Sequence, residues 1–131
     1  MKQLTVITDA HKGLMAEITE ALAANNINLK SLDAKSMESK AIIILVVDNY
    51  DLAIQVLNKL EGAQVISEDA ILIRLKDEPG AVAKIARRFT DADIDLRSIR
   101  ILQREGDYGL VAISTERTDD ALQLVKDVLV S

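Results

Sequence analysis

Shifting the sequence along itself by 67 positions brings Gly13 onto Gly80, Ala16 onto Ala83, Ile18 onto Ile85, Ile27 onto Ile94, Leu29 onto Leu96 and Ser31 onto Ser98. Conservative pairs fill the spaces between: Leu4 with Ile71, Val6 with Ile73, Met15 with Val82, Leu22 with Phe89, Lys30 with Arg97 and Leu32 with Ile99. One extra residue in the second half moves the offset to 68, where Ala53, Ile54 and Gln55 face Ala121, Leu122 and Gln123. An offset held over this many positions marks a duplicated supersecondary unit. A unit of about 65 residues is small for a comfortable core, so the two copies are expected to share a sheet or an interface. The expected domains are 1–67 and 68–131.

Each copy carries the same succession of periodicities. Leu4, Val6 and Thr8 alternate with Thr5 and Ile7, and Ile71, Ile73 and Leu75 with Leu72 and Arg74, which suits an opening strand. Leu14, Ile18 and Leu22 recur at helical spacing, as do Val82, Ile85 and Phe89. Pro79 suits the first position of its helix, and Asn25 and Asn26 suit the end of theirs. Second strands follow from Asn28 and over residues 94–102. Third strands are predicted over residues 42–47 and 109–113, apolar enough to want cover on both faces, with Gly106 and Asp107 turning the second hairpin. A last helix carries Ala53, Ile54, Leu57 and Leu60, repeated as Ala121, Leu122, Val125 and Leu129, with Asp51 and Thr118 or Asp119 as caps. A closing strand is legible once, over residues 64–66, and the second copy shows none before Ser131. The fold class is therefore α+β: two ferredoxin-like βαββαβ units, with antiparallel sheets and helices packed on one face.

Composition removes several functions. With 49% hydrophobic and 28% charged residues the chain has matter for both a core and a soluble surface, which argues against disorder. The longest apolar run, residues 41–47, is far shorter than a bilayer span, and neither a secretory signal nor a membrane role is expected. The cytoplasm is the expected location. Cysteine is absent and histidine occurs once, at His11, so disulfides, thiolate nucleophiles and Cys/His zinc sites are excluded; no metal or cofactor is expected. A net charge of −5 and three aromatic residues, Tyr50, Phe89 and Tyr108, leave neither a basic footprint nor stacking platforms for nucleic acid.

The run Asp77, Glu78, Pro79, Gly80, Ala81, Val82, Ala83, Lys84, Ile85, followed by Ile94, Asp95, Leu96 and Ser98, resembles the signature of ACT domains, and the repeat extends the resemblance over both halves. ACT domains are small amino-acid-sensing modules, found on enzymes and as free-standing tandem proteins. The resemblance implies that domains pair side by side. A small ligand, often an amino acid, then lies between the loop after the first strand of one domain and the second strand of its neighbour. It implies a non-catalytic regulatory protein, an amino-acid effector, a homodimer and a regulated partner protein.

The residues fit that chemistry on their own terms. A helix N-terminus offers unbonded amides and a positive dipole end, and glycine there allows a carboxylate close approach; Gly13 with Leu14, and Gly80 with Ala81 and Val82, hold these places. An ammonium group needs oxygen acceptors, which Asp77, Glu78, Asn28 and Asp95 supply. Asn28 and Asp95 each follow their glycine by 15 residues, which places both at the opening of a second strand. The first copy has Ala10 and Lys12 where the family pattern has a polar residue and proline. The expected principal site therefore joins the Asp77 loop to Asn28, and the loop of Asp9, His11 and Gly13 facing Asp95 is the altered one. Plainer roles stand beside these: Asp9 and Asp77 as helix caps, Gly13 and Gly80 as packing contacts, Asn28 and Asp95 as solvated turn residues, His11 as an exposed histidine.

Three other functions compete. A ligand-free oligomerisation scaffold would use the two-sided apolar strands to bury a sheet face against a second chain. An acylphosphatase-like enzyme would need arginine in the loop after the first strand, and residues 9–12 and 76–79 contain none. An RNA-recognition module would need exposed aromatics on two strands, and Tyr108 alone does not supply them.

Overall fold

A computed structural model describes residues 1–130; Ser131, the last residue of the expected second domain, lies outside the described residues. The chain divides into two compact units, one covering Lys2–Glu68 and the other running on from Asp69 with Met1 added. In the first unit the order is β1 (Lys2–Asp9), α1 (Leu14–Ala24), β2 (Leu29–Met37), β3 (Lys40–Val47), α2 (Tyr50–Asn58) and the opening of β4 (Gln64–Lys76). In the second it is the rest of β4, α3 (Ala81–Asp91), β5 (Leu96–Glu105), β6 (Tyr108–Thr115) and α4 (Thr118–Leu124).

In the first unit β3 is central, antiparallel to both β1 and β2, with Leu4 opposite Leu45 and Val6 opposite Ile43. Strand alternation turns those four side chains to one face, where they bury against Ile18, Leu22, Ala53 and Leu57 of α1 and α2. The second unit repeats the plan. Central β6 pairs with β4 and β5, and Ile71, Ile73, Val111 and Ile113 bury against Ile85, Phe89, Ala121 and Val125. Each unit is thus a ferredoxin-like antiparallel sheet with its helices on one face. The expectation that these third strands want cover on both sides holds in part: Ile43 and Leu45 are buried against the helices, and on the other face Val46 of β3 and Ala112 and Ser114 of β6 are buried as well, while Ile42 is 41% exposed. The face away from the helices is thus covered along part of its length and open at Ile42.

Helix boundaries are set by backbone conformation. Gly13 and Gly80 precede α1 and α3 at φ 88° and 86°, in the left-handed region that other residues avoid. A Cβ built on either would meet nothing within 4 Å, so φ, and not packing against the sheet, requires glycine there. The same helices are left through Asn26 and Asp93, at φ 58° and 56°, a conformation that Asn and Asp tolerate. Pro79 lies outside α3, before the Gly80 cap, because the left-handed glycine delays the first helical residue to Ala81.

Two caps and one element also differ from the sequence reading. Asn49, not Asp51, caps α2: its Oδ1 accepts the Leu52 amide at 3.3 Å, which leaves Asp51 inside the first turn. The N-cap of α4 is Arg117, with no side-chain cap bond, so neither Thr118 nor Asp119 serves. Leu129 is not part of that helix. After α4 ends, the Val128 carbonyl accepts from the Arg74 amide at 2.9 Å and the Val130 amide donates to the Leu72 carbonyl at 2.8 Å, with Leu129 bridging antiparallel to Ile73. This short piece is the closing strand that the sequence does not reveal. Arg88 of α3 steadies it, donating to both Asp127 carboxylate oxygens at 2.6 and 2.9 Å and to the Leu124 carbonyl at 3.2 Å.

Phe89 is 1% exposed at the centre of the second core. Phe89→Ala is expected to cost about 3–5 kcal/mol of that unit's stability, read as a lowered urea midpoint with little change in slope.

Candidate functional site

The left-handed glycine turns the chain from β1 straight into α1, so the first-turn amides have no preceding helical carbonyls and no side-chain cap. Leu14 N bonds the His11 carbonyl at 3.2 Å, while the amides of Met15 and Ala16 fall where an α-helix leaves donors unsatisfied. The loop is held from the other side by the β2–β3 turn: the Ala10 amide donates to the Ser39 carbonyl at 2.7 Å, and Lys40 Nζ lies 2.6 Å from Asp9 Oδ1. Between α1 and the edge strand β2 a concavity of about 320 Å³ opens, lined by His11, Gly13, Leu14, Met15 and Ala16 on one side and Ala34, Lys35 and Ser36 on the other, over Ala41 and Ile43.

The second unit builds a concavity at the equivalent place, of about 110 Å³. Its loop is tied by the Asp77 amide to the Asp107 carbonyl at 2.7 Å. Ala81 and Val82 replace Leu14 and Met15, Gly109 and Val111 replace Ala41 and Ile43, but Ile101 and Arg104 stand where the first unit has Ala34 and Ser36. The larger side chains fill the space. Arg104 Nε also reaches Asp77 Oδ1 at 3.3 Å, so the acid expected to receive a ligand ammonium already faces a guanidinium. Glu78 pairs with Lys76 at 3.8 Å.

Neither Asp9 nor Asp77 caps its helix, which removes that plainer role for both. His11 is half exposed, with Nε2 3.5 Å from Glu17 and Nδ1 3.1 Å from the Lys12 carbonyl. Asn28 opens the second strand as expected, and its amide donates to Asp48 Oδ1 at 3.0 Å. Asn28 is, however, at the Val47 end of the sheet, whereas Asp9 is at the Lys40 end. Seven strand rungs, about 23 Å, separate those ends. Asp95 likewise precedes Leu96, opposite Thr115, far from the Glu105 and Tyr108 end that adjoins the Asp77 loop. No single unit brings its glycine loop and its strand-opening polar residue together. Sequence reasoning missed Ala34, Ser36 and Lys40; small residues two apart in β2 were the available signal, but their meaning depends on which face they take. Among the described residues no cluster of three or more acids and histidines could hold a metal. None of their helices is long and apolar enough to cross a membrane.

With this geometry, comparison with known proteins is informative. The family model of the ACT domain matches residues 70–128, within the second unit. Among solved structures the chain is similar to a protein from Bacteroides thetaiotaomicron, with a TM-score of 0.77 at 24% identity over 98% of this chain and 90% of that one. It is similar to the ligand-free regulatory subunit of aspartate kinase from Thermus thermophilus, with a TM-score of 0.62 at 20% identity over 96% and 91%. The regulatory subunit of aspartate kinase from Thermus flavus gives 0.67 at 17% identity over 96% and 90%. At these identities the likeness establishes the fold. No match was found among curated proteins.

The Lys40 hydrogen bond, and then its charge, hold the Asp9 carboxyl below the ordinary aspartate range. A depressed folded-state pKa adds stability that is present above the unfolded-chain value and lost as pH falls through the folded one. NMR titration should place the Asp9 midpoint below that of a free aspartate, and Lys40→Met should return it to the ordinary value.

Proposed function

We propose that the chain is a non-catalytic regulatory protein of tandem ACT type that binds a small amino acid at the concavity of its first unit. The observation that carries this reading is the room left between the uncapped first turn of α1 and the small residues Ala34 and Ser36, at a place the second unit fills with Ile101 and Arg104. The ACT match over residues 70–128 and the shared fold with aspartate kinase regulatory subunits support it.

The chemistry is that of an α-amino carboxylate. Its carboxylate suits the amides of Met15 and Ala16 and the dipole end of α1. The apolar walls of Leu14, Ala34 and Ile43 accept a modest side chain, and Ser36 and His11 add polar contacts. Asp9 is the nearest acid of the loop, shared with Lys40, so the ammonium competes with that lysine for it. The Asp77 concavity is the secondary candidate, open only when Arg104 moves away from the acid.

A ligand that binds only the folded chain stabilises it by about 2.7 kcal/mol at 100 times its dissociation constant, which raises the melting temperature by several degrees. Amino acids screened singly by thermal shift should give that rise for one or a few. Ala16→Phe, which fills the concavity from an exposed position, should abolish the rise and leave the unliganded stability within about 0.5 kcal/mol. A flat response to every amino acid would contradict the reading and favour a ligand-free scaffold.

A further inference from the structure

We propose that the second unit carries a site for a nucleoside monophosphate on the sheet face away from its helices, with the phosphate held by β4 and the base by β6 and β5. Register lays this face out in rows. Lys76, Tyr108 and Glu105 stand opposite one another across β4, β6 and β5, and Arg74, Leu110 and Gln103 form the next row. Ile73, Leu75 and Val111 belong to the core beneath the helices, so alternation turns these six the other way. Between Arg74, Gln103, Glu105, Tyr108 and Leu110 opens a concavity of about 320 Å³. Small-molecule sites occupy roughly 300–1,000 Å³. An adjoining concavity of about 380 Å³ shares Arg74 and Tyr108 and adds Lys76.

The charges of this face are not spent on one another. Arg87, Arg88, Arg97, Arg104 and Arg117 each lie within 4.0 Å of a carboxylate. Arg74 has no such partner among the described residues, and Lys76 has only the exposed Glu78 at 3.8 Å. Both cations are exposed and stand two residues apart on one face, about 7 Å along the strand. In a chain of net charge −5 they are a local concentration of positive charge. A pair of long cationic side chains, one of them a guanidinium fork, suits a doubly charged phosphate better than a single carboxylate. Asp127, which lines the adjoining concavity, is already held by Arg88 at 2.6 Å, and Glu105 lies two strands away on β5.

The remaining side chains fit a base. Tyr108 is 51% exposed and, among the described residues, its side chain has no hydrogen bond or ion pair, which leaves its ring free to stack on a planar heterocycle above Leu110. Glu105 and Gln103 border the same concavity and reach the edge of that ring. A carboxylate only accepts hydrogen bonds, so Glu105 suits the amino groups of adenine, cytosine and guanine. Uracil sets its one ring N–H between two carbonyl oxygens, which oppose a carboxylate. Two strand spacings, about 10 Å, separate β5 from β4, a separation that the sugar between base and phosphate spans. Phe89, the other aromatic residue of this unit, is in the core, so the face serves one base and not a strand of nucleic acid. The site shares no residue with the concavity of the first unit, and it does not rest on the amino-acid reading.

The test is titration calorimetry of the full chain, without any amino acid, against the ribonucleoside monophosphates of all four bases, with ribose phosphate and inorganic phosphate as ringless controls. At least one nucleotide bearing an amino group should bind saturably, and more tightly than uridine monophosphate and both controls. Arg74→Met should raise its dissociation constant about tenfold or more. Tyr108→Ala should do the same, and Tyr108→Phe, which keeps the ring, should stay within about threefold of wild type. Glu105→Gln should narrow the preference over uridine monophosphate. All these side chains are exposed, so the melting temperature without ligand should stay at the wild-type value, which separates lost contacts from a damaged fold. No saturable binding of any nucleotide, equal binding of the ringless phosphates, or an affinity indifferent to Arg74→Met and Tyr108→Ala would overturn the proposal.

Discussion

The structure depends on a single backbone requirement, met twice. At Gly13 and Gly80 the chain leaves a strand and enters a helix through a residue at φ near +87°, with open space where a side chain would be. That conformation lets the helix turn back over its own sheet with no capping side chain between the loop and the first-turn amides. The hydrophobic face of the helix and the exposed donors of its first turn are therefore placed by the same residue. Burial of Leu14, Ile18 and Leu22 holds α1 down; the Ala10 to Ser39 bond and the Asp9 to Lys40 pair hold the loop.

Within this common frame the two units differ in side-chain volume more than in backbone. Ala34 and Ser36 leave a concavity that Ile101 and Arg104 occupy in the other unit, and the difference, about 320 against 110 Å³, follows from those positions without any change of topology. The ion pair between Arg104 and Asp77 adds a specific obstacle. It also explains why the half whose sequence is closer to the ACT pattern is the less open one. The motif preserves the turn, while access is decided at Ile101 and Arg104, positions of β5 beyond the residues of the motif.

Much of the fold was legible because its determinants are local. The helical spacing of Ile18 and Leu22 or Ile85 and Phe89, and the left-handed exit at Asn26, are properties of short stretches, as is the match of one half to the other at a fixed offset. What escaped was decided at longer range. Leu129 matches the helical spacing but pairs with Ile73, a choice made by a sheet edge in need of a partner. Asn49 displaced Asp51 as a cap because the helix began two residues sooner. The roles of Ala34, Ser36 and Lys40 needed the register of β2 on β3, which no periodicity in β2 alone supplies. Asn28 was correctly placed at a strand opening, but its distance from its own glycine loop is a property of the folded sheet.

The central claim is that the first turn of α1 and the inner side of β2 together form a recognition surface. Amide chemical shifts of the isotope-labelled chain, followed while an amino acid that raises the melting temperature is titrated in, test it most directly. The account predicts saturable shifts concentrated on Gly13, Leu14, Met15 and Ala16 and on Ala34 and Ser36. Saturable shifts confined to other parts of the chain, with these amides unmoved, would contradict it.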